Sequence, residues 1–152
     1  LYRLIGAVFD RQDAATELCG RIEAAMADLR DAAKALPERR VLYLIWKDPW
    51  MTVSSDTYIS RMLDRVHWRT IGGDGGVRYP EIDPGGEVAA AADLILFASE
   101  PFPFEERHFA EFRDFYQGDA RFAAIDGEMV SWYGSRAIAG LAYLKDFAIT
   151  WR

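Results

Sequence analysis

The chain predicts an α/β fold: a long N-terminal helix followed by one lobe with a small, mostly parallel sheet flanked by helices. Three observations carry this. A long apolar stripe at helical spacing precedes Pro37; short, mostly apolar runs follow it at positions 41–46, 94–98 and 121–125; helical patterns separate those runs. Strands alternating with helices imply parallel βαβ units with right-handed crossovers. The division expected is a helical segment over 1–36 and an α/β lobe over 37–152.

In chain order, positions 1–9 are apolar and read as a short helix. Ala15, Leu18, Ile22, Ala25, Met26, Leu29 and Ala33 then recur at i, i+3, i+4 and i+7. Asp10 is the expected N-cap, Asp13 suits the first turn, and Pro37 ends the pattern. A helix over 10–34 would run ~37 Å. Positions 41–46 read as a buried strand, and positions 57–66 as a helix with Ile59, Met62, Leu63 and Val66 inward. The glycines of 72–76 form a turn cluster. Asp83 and Pro84 predict a short helix through Ala91. Leu94–Ala98 is a second strand; Pro103, Glu105 and Glu106 open a helix through Phe115, acidic where its dipole favours it. Arg121–Ile125 is a third strand, and a last helix over 131–147 turns Ile138, Leu141 and Leu144 inward.

At 152 residues the chain has the length of one domain, and 51% apolar with 28% charged residues is an ordinary globular composition. The net charge of −6 argues against nucleic acid, which needs clustered cations. No apolar run reaches the ~18 residues of a membrane span. The first residues lack a charged n-region and an apolar h-region, so no signal peptide is expected in this stretch. Cys19, the one cysteine, sits among Leu18, Ile22 and Met26 and reads as a buried, inert thiol.

Several constellations read as structure. The 72–76 cluster lacks phosphate-loop spacing and follows a helix instead of a strand. His67 and His108 stand apart from each other and from Cys19, so no protein metal site is expected. Ser54, Ser55, Ser131 and Ser135 sit in no nucleophile elbow; Ser55 and Ser131 read as helix caps. The carboxylates Asp48, Asp56, Glu81, Asp83, Glu100, Asp126 and Glu128 fall mostly at loop–helix junctions, where capping accounts for them. Phe102, Phe104, Phe109, Phe112 and Phe115 read as core packing.

Other aromatics are placed differently. Trp46, Trp50, Tyr79, Trp132 and Tyr133 flank turns at strand ends, where open α/β sheets bind ligands. Rings there suit a large, partly apolar guest held by stacking. Arg136 is placed either to meet an anionic ligand group or to pair with Asp126.

With these residues in place, the chain resembles the periplasmic substrate-binding proteins of cobalamin and ferric-siderophore ABC importers, the helical-backbone receptors. The resemblance rests on four ordered stretches: Trp46-Lys47-Asp48-Pro49-Trp50-Met51 and the residues through Ile59; Arg78-Tyr79-Pro80-Glu81-Ile82; positions 93–104; and positions 126–136. It implies a fold of two α/β lobes joined by a long helix, with this chain corresponding to that helix and the C-terminal lobe only. It implies ligand-facing roles for Trp50 or Met51, for Tyr79 and for the 126–136 stretch. It implies a Glu shortly after the Tyr-Pro-Glu motif that docks on the permease; Gly85 and Gly86 stand there, leaving Glu81 or Glu87 for the role. The location implied is periplasmic, as a free protein or a cell-surface lipoprotein.

The function expected is capture of a metal complex, a cobalamin-like corrinoid or a ferric siderophore, without bond chemistry and with no cofactor of its own. The ligand-binding residues expected are Trp46, Trp50, Met51, Tyr79, Trp132, Tyr133 and Arg136, and the reading requires Trp50, Tyr79 and Trp132 to share a wall. The rival is a small α/β enzyme using Asp48, Asp126 and Glu128, which requires those carboxylates to converge. The partner expected is an ABC permease, with homodimerisation through the exposed long helix also open.

Overall fold

The computed structural model describes residues 1–73 and 76–152. Among them the chain folds into a four-stranded parallel sheet, order β2-β1-β3-β4, made of β1 (Arg39–Leu44), β2 (Trp68–Thr70), β3 (Leu94–Ala98) and β4 (Arg121–Ile125). The helices are α1 (Tyr2–Val8), α2 (Gln12–Ala33), α3 (Tyr58–Leu63), α4 (Glu87–Ala90), α5 (Glu106–Phe115), α6 (Gly127–Ser131) and α7 (Ala137–Thr150). Two 3-10 turns, Asp64–Val66 and Gly134–Arg136, extend α3 and precede α7. The α/β architecture with its long N-terminal helix is the one the sequence predicts.

The unbroken apolar strands follow from a sheet covered on both faces, where alternate side chains enter different cores. Val41 and Tyr43 of β1 and Ile45 just after it, with Leu94, Leu96 and Ala98 of β3, meet Leu29, Leu63, Trp68 and Leu144 in one core. Leu42 and Leu44, with Ile95 and Phe97, meet Ala89 and Phe112 in the other, beneath α4 and α5. The long helix α2 lies on the first face, where the Lys145 ammonium donates to Asp28 at 2.7 Å and ties it to α7. Its stripe is fully buried only at Ala15, Leu29 and Ala33, while Met26 is exposed. Leu4, Ile5 and Val8 of α1, and Phe9 after it, also face solvent. No described helix is long and apolar enough to cross a membrane.

The structure corrects several local expectations. Asp10 is not the N-cap of α2; Arg11 holds that position. Asp10 takes a left-handed conformation, φ 53°, and the Arg11 N–H bonds the Gly6 carbonyl at 2.7 Å. That is the closing motif of a preceding helix, with Asp tolerating the position usually given to Gly. Asp83 does not cap α4 either. Its carboxylate accepts from the Gly85 N–H at 3.0 Å in a local turn, and α4 begins only at Glu87. Ser55 and Ser131 are not caps: Thr57 caps α3 and Asp126 caps α6, each accepting a backbone N–H three residues on. The expected last helix is split, because Gly134 (φ +85°) turns the chain between α6 and α7. Strand β2 was not expected. Cys19 is half-buried and Phe115 exposed, where both were expected inside. The turn expected over 72–76 falls partly on residues 74 and 75, outside the described residues; Gly72 before them has φ +105°.

Candidate functional site

The site is built where the strands end. After β1 the chain doubles back: the Ile45 N–H bonds the Met51 carbonyl at 3.0 Å, and the Met51 N–H bonds the Trp46 carbonyl at 3.1 Å. The segment leaving this loop runs antiparallel to the Tyr-Pro-Glu segment. Thr52 N–H meets the Pro80 carbonyl at 3.0 Å, Ser54 N–H the Arg78 carbonyl at 2.9 Å, and Ile82 N–H the Trp50 carbonyl at 2.9 Å. The Thr52 hydroxyl donates to the Tyr43 carbonyl at 2.8 Å, anchoring this pair to β1. Two stretches the sequence singled out separately are thus one structural unit.

The other strand ends continue the row. The Phe102 N–H donates to the Ile45 carbonyl at 3.3 Å, and the Phe102 ring meets Trp46 edge-on at 5.6 Å. Ser99 accepts from the Gly127 N–H at 2.9 Å, joining the end of β3 to α6. The Trp132 indole donates to Glu100 at 3.4 Å. The resulting order is Tyr79 and Glu81, then Met51 and Trp46, then Phe102 and Glu100, then Trp132, following the sheet. The Asp48-Pro49 and Glu100-Pro101 peptide bonds, which open the loops after β1 and β3, are both cis.

Exposure separates the rings of this row from core. Trp46 is 41% exposed, Tyr79 47%, Trp132 45% and Tyr133 77%, whereas Met51 is half-buried and bridges Trp46 to Glu81 in the backbone pairing. Trp50 turns the other way. Its ring stacks on Phe104 at 5.9 Å and meets Phe112 edge-on at 5.1 Å, so it packs into the core under α5. Tyr79 and Trp132 lie on the strand-end surface, and Trp50 supports that surface from beneath. Phe102 and Glu100 complete the row without having been singled out as ligand residues. The available signal was the Glu100-Pro101 pair after β3, placed like Asp48-Pro49 after β1.

Charges are arranged around the rings. The Arg136 guanidinium lies over Trp132 at 4.3 Å and pairs with Glu128 at 3.3 Å, not with Asp126. Arg78 approaches Asp56 at 3.6 Å, and Asp56 also accepts from the Ser54 hydroxyl. The Ser54 hydroxyl first, and Arg78 behind it, hold the Asp56 carboxyl below the usual carboxylate range. The enzyme rival's carboxylates rest on three local partners: Asp48 on Lys47 at 3.1 Å, Asp126 on the Met129 N–H at 3.3 Å, Glu128 on Arg136. Glu81 and Glu87 are exposed, the latter in the first turn of α4. His108 is buried, accepting the Glu105 N–H at 2.9 Å as part of the cap of α5. Among the described residues, no three His, Cys, Asp or Glu side chains gather to hold a metal ion.

No protein-family model and no curated protein matches the chain. Solved structures do. A possible iron-binding, periplasmic solute-binding protein from Staphylococcus epidermidis is 20% identical with a TM-score of 0.77, covering 97% of this chain and 59% of its own. The periplasmic heme-binding protein RhuT from Roseiflexus sp. RS-1 is 20% identical with a TM-score of 0.74 over the same shares, 97% and 59%. The periplasmic vitamin B12 binding protein BtuF of Vibrio cholerae is 15% identical with a TM-score of 0.65, over 92% of this chain and 54% of its own. The chain spans less than two thirds of the length of each. At these identities the likeness is one of fold: the chain has the architecture of part of the periplasmic substrate-binding proteins that its sequence resembles.

Proposed function

We propose that the chain is the linker helix and C-terminal lobe of a substrate-binding component of an ABC importer, and that it takes a large metal complex. The observation that carries this is the row of exposed rings, Trp46, Tyr79 and Trp132, along the carboxyl edge of the sheet in the fold of such receptors. The ligand class comprises corrinoids and ferric siderophores, and heme joins it because heme-binding proteins share the fold. Binding is non-covalent: rings stack on the ligand, Arg136 over Trp132 offers a cation at the edge, and Met51 fills the gap between rings. Trp50 acts by supporting this surface. Glu81 and Glu87 are the carboxylates proposed to meet the permease, and the setting is periplasmic or otherwise extracytoplasmic.

Tryptophan fluorescence, corrected for ligand absorption, tests the proposal with cyanocobalamin, hemin and ferrichrome as probes. One of the three is expected to quench with saturation, at a Kd of about 10 μM or weaker because a single open surface covers one side of the guest. Trp132→Ala and Tyr79→Ala are each expected to weaken that binding at least about fivefold with little change in stability, as both rings are exposed. Absence of saturable quenching by all three, or quenching indifferent to both substitutions, overturns the proposal.

A further inference from the structure

A second recess lies away from the strand-end row, between α2, α3 and the start of α7. It has a volume of about 260 Å³ and an apolar floor that includes Met26 and Met62. Three tyrosines, Tyr2, Tyr58 and Tyr133, stand around it, with Tyr58 and Tyr133 edge-on at 5.9 Å. Arg61 and Arg65 also line it.

The arginines of this chain divide into those with a carboxylate partner and those without. Arg3, Arg40, Arg78, Arg107 and Arg136 all pair with carboxylates. The Arg61 and Arg65 side chains make no ion pair or hydrogen bond among the described residues, although the net charge is −6. About one helical turn apart, Arg61 on α3 and Arg65 on the 3-10 turn that extends it line the same recess. Neither Glu23 nor Asp64 pairs with them. Glu23, which lines an adjoining groove with Arg30 and Arg65, pairs with Arg3 at 3.9 Å, and Asp64 lines a separate polar recess with His67. Unopposed cations over an apolar floor, with phenol hydroxyls beside them, are complementary to an anionic head on an apolar body.

We infer that this recess is a binding site for a small apolar carboxylate, its body between Met26 and Met62 and its head between Arg61, Arg65 and the tyrosine hydroxyls. The volume is just under the range of about 300–1,000 Å³ that holds drug-sized ligands, which suits a one- or two-ring acid. The site is separate from the receptor surface proposed above; Tyr133 alone belongs to both.

Methionine methyl groups give a local readout, because the chain's four methionines divide cleanly. Met26 and Met62 line the recess, Met51 belongs to the strand-end row, and Met129 is on α6. With ¹³C-methyl methionine, 2-naphthoate is expected to shift the Met26 and Met62 signals to saturation and leave Met51 and Met129 in place. 2-Naphthamide, with the same body and no charge, is expected to bind about tenfold more weakly, and inorganic phosphate not to shift the methyls. Arg61→Gln and Arg65→Gln are each expected to weaken naphthoate about three- to fivefold, the range of exposed ion pairs, with Arg→Lys keeping part of the affinity. Both side chains are exposed, so the variants fold, and an unmoved Met129 signal confirms it. No shift, equal binding of the amide, phosphate matching naphthoate, indifference to both arginine substitutions, or a response confined to Met51 overturns the inference.

Discussion

Tyr43→Phe is expected to make the protein more stable. Tyr43 stands in the middle of β1 with no exposed surface, and its hydroxyl has no hydrogen-bond partner among the described residues. A buried hydroxyl left unpaired costs roughly 1–3 kcal/mol, and Phe removes it while keeping the ring that packs in the first core. Against a small loss of dispersion contact, the expected gain is about 1–2 kcal/mol. For a domain of this length that raises Tm by about 2–8 °C.

The same residue carries a pH signature. Burial, and then the nearby Tyr143, Asp126 and Glu100, push the Tyr43 phenol far above its ordinary value. A phenol whose folded pKa is raised adds no pH dependence below its unfolded value near 10, and destabilises the fold increasingly above it, because only the unfolded chain ionises readily. The advantage of Phe is therefore expected to be constant through neutral pH and to widen above about pH 10. Urea unfolding followed by circular dichroism reads both, with an unchanged m-value showing that only stability moved. A loss of about 1 kcal/mol or more on Tyr43→Phe, or a gap that does not grow with alkali, refutes the reasoning, since either means that the hydroxyl is bonded in solution.

Two further outcomes follow from packing and charge. Gly140→Ala is expected to destabilise the fold by about 2–3 kcal/mol, because a Cβ there would run into the Met129 carbonyl where α7 crosses α6; a neutral result in thermal melts contradicts that close approach. Asp93 accepts the Arg40 backbone N–H at 2.6 Å and its guanidinium at 2.9 Å, which fastens β1 to β3 before either strand begins its apolar run. The Arg40 guanidinium holds the Asp93 carboxyl below its usual range, so this stability is present above about pH 4 and lost as pH falls below it. Asp93→Asn is expected to cost about 1 kcal/mol at neutral pH, since 35% of the Asp93 side chain stays in solvent, and its deficit is expected to shrink in urea melts at acid pH.

The sequence made the interior legible and the edges obscure. Leu94–Ala98 stood out because a strand covered on both faces is continuously apolar, and Arg121–Ile125 because four apolar residues follow its arginine; both appear with those bounds. Strand β2 did not stand out, because three edge residues, two of them Arg69 and Thr70, carry no period. What holds β2 is the burial of Trp68 against Phe147, at 6.0 Å edge-on, a contact with a helix far along the chain. Asp10 and Asp83 show a different limit: an aspartate before a helical pattern can close the previous element or turn the chain as readily as cap the next. At the site, all five strand-end rings looked alike in sequence. The pairing of 50–54 with 78–82 decides that Trp50 enters the core under α5 while Trp46 and Tyr79 face out, and that pairing is a tertiary fact.

The division of labour among these residues bears on what the row of rings can do. The main chain beneath them is fixed by the 50–54/78–82 pairing, the Thr52–Tyr43 bond and the Ser99–Gly127 bond, and Trp50 fills the space below with its ring engaged by Phe104, Phe112 and Phe97. The exposed rings themselves contribute little to the two cores. Such a surface is preorganised in its backbone yet free in its side chains, the combination that lets stacking energy go to a guest rather than to folding. It follows that Trp50 and Trp132, equal in kind and both at strand ends, should fail in opposite ways. Trp50→Ala removes a ring packed in the second core and is expected to cost about 3 kcal/mol or more of stability, with any binding loss secondary to that. Trp132→Ala is expected to leave melting nearly unchanged and to reduce binding directly. A melt in which the two variants behave alike would contradict the separation between support and contact on which the receptor reading rests.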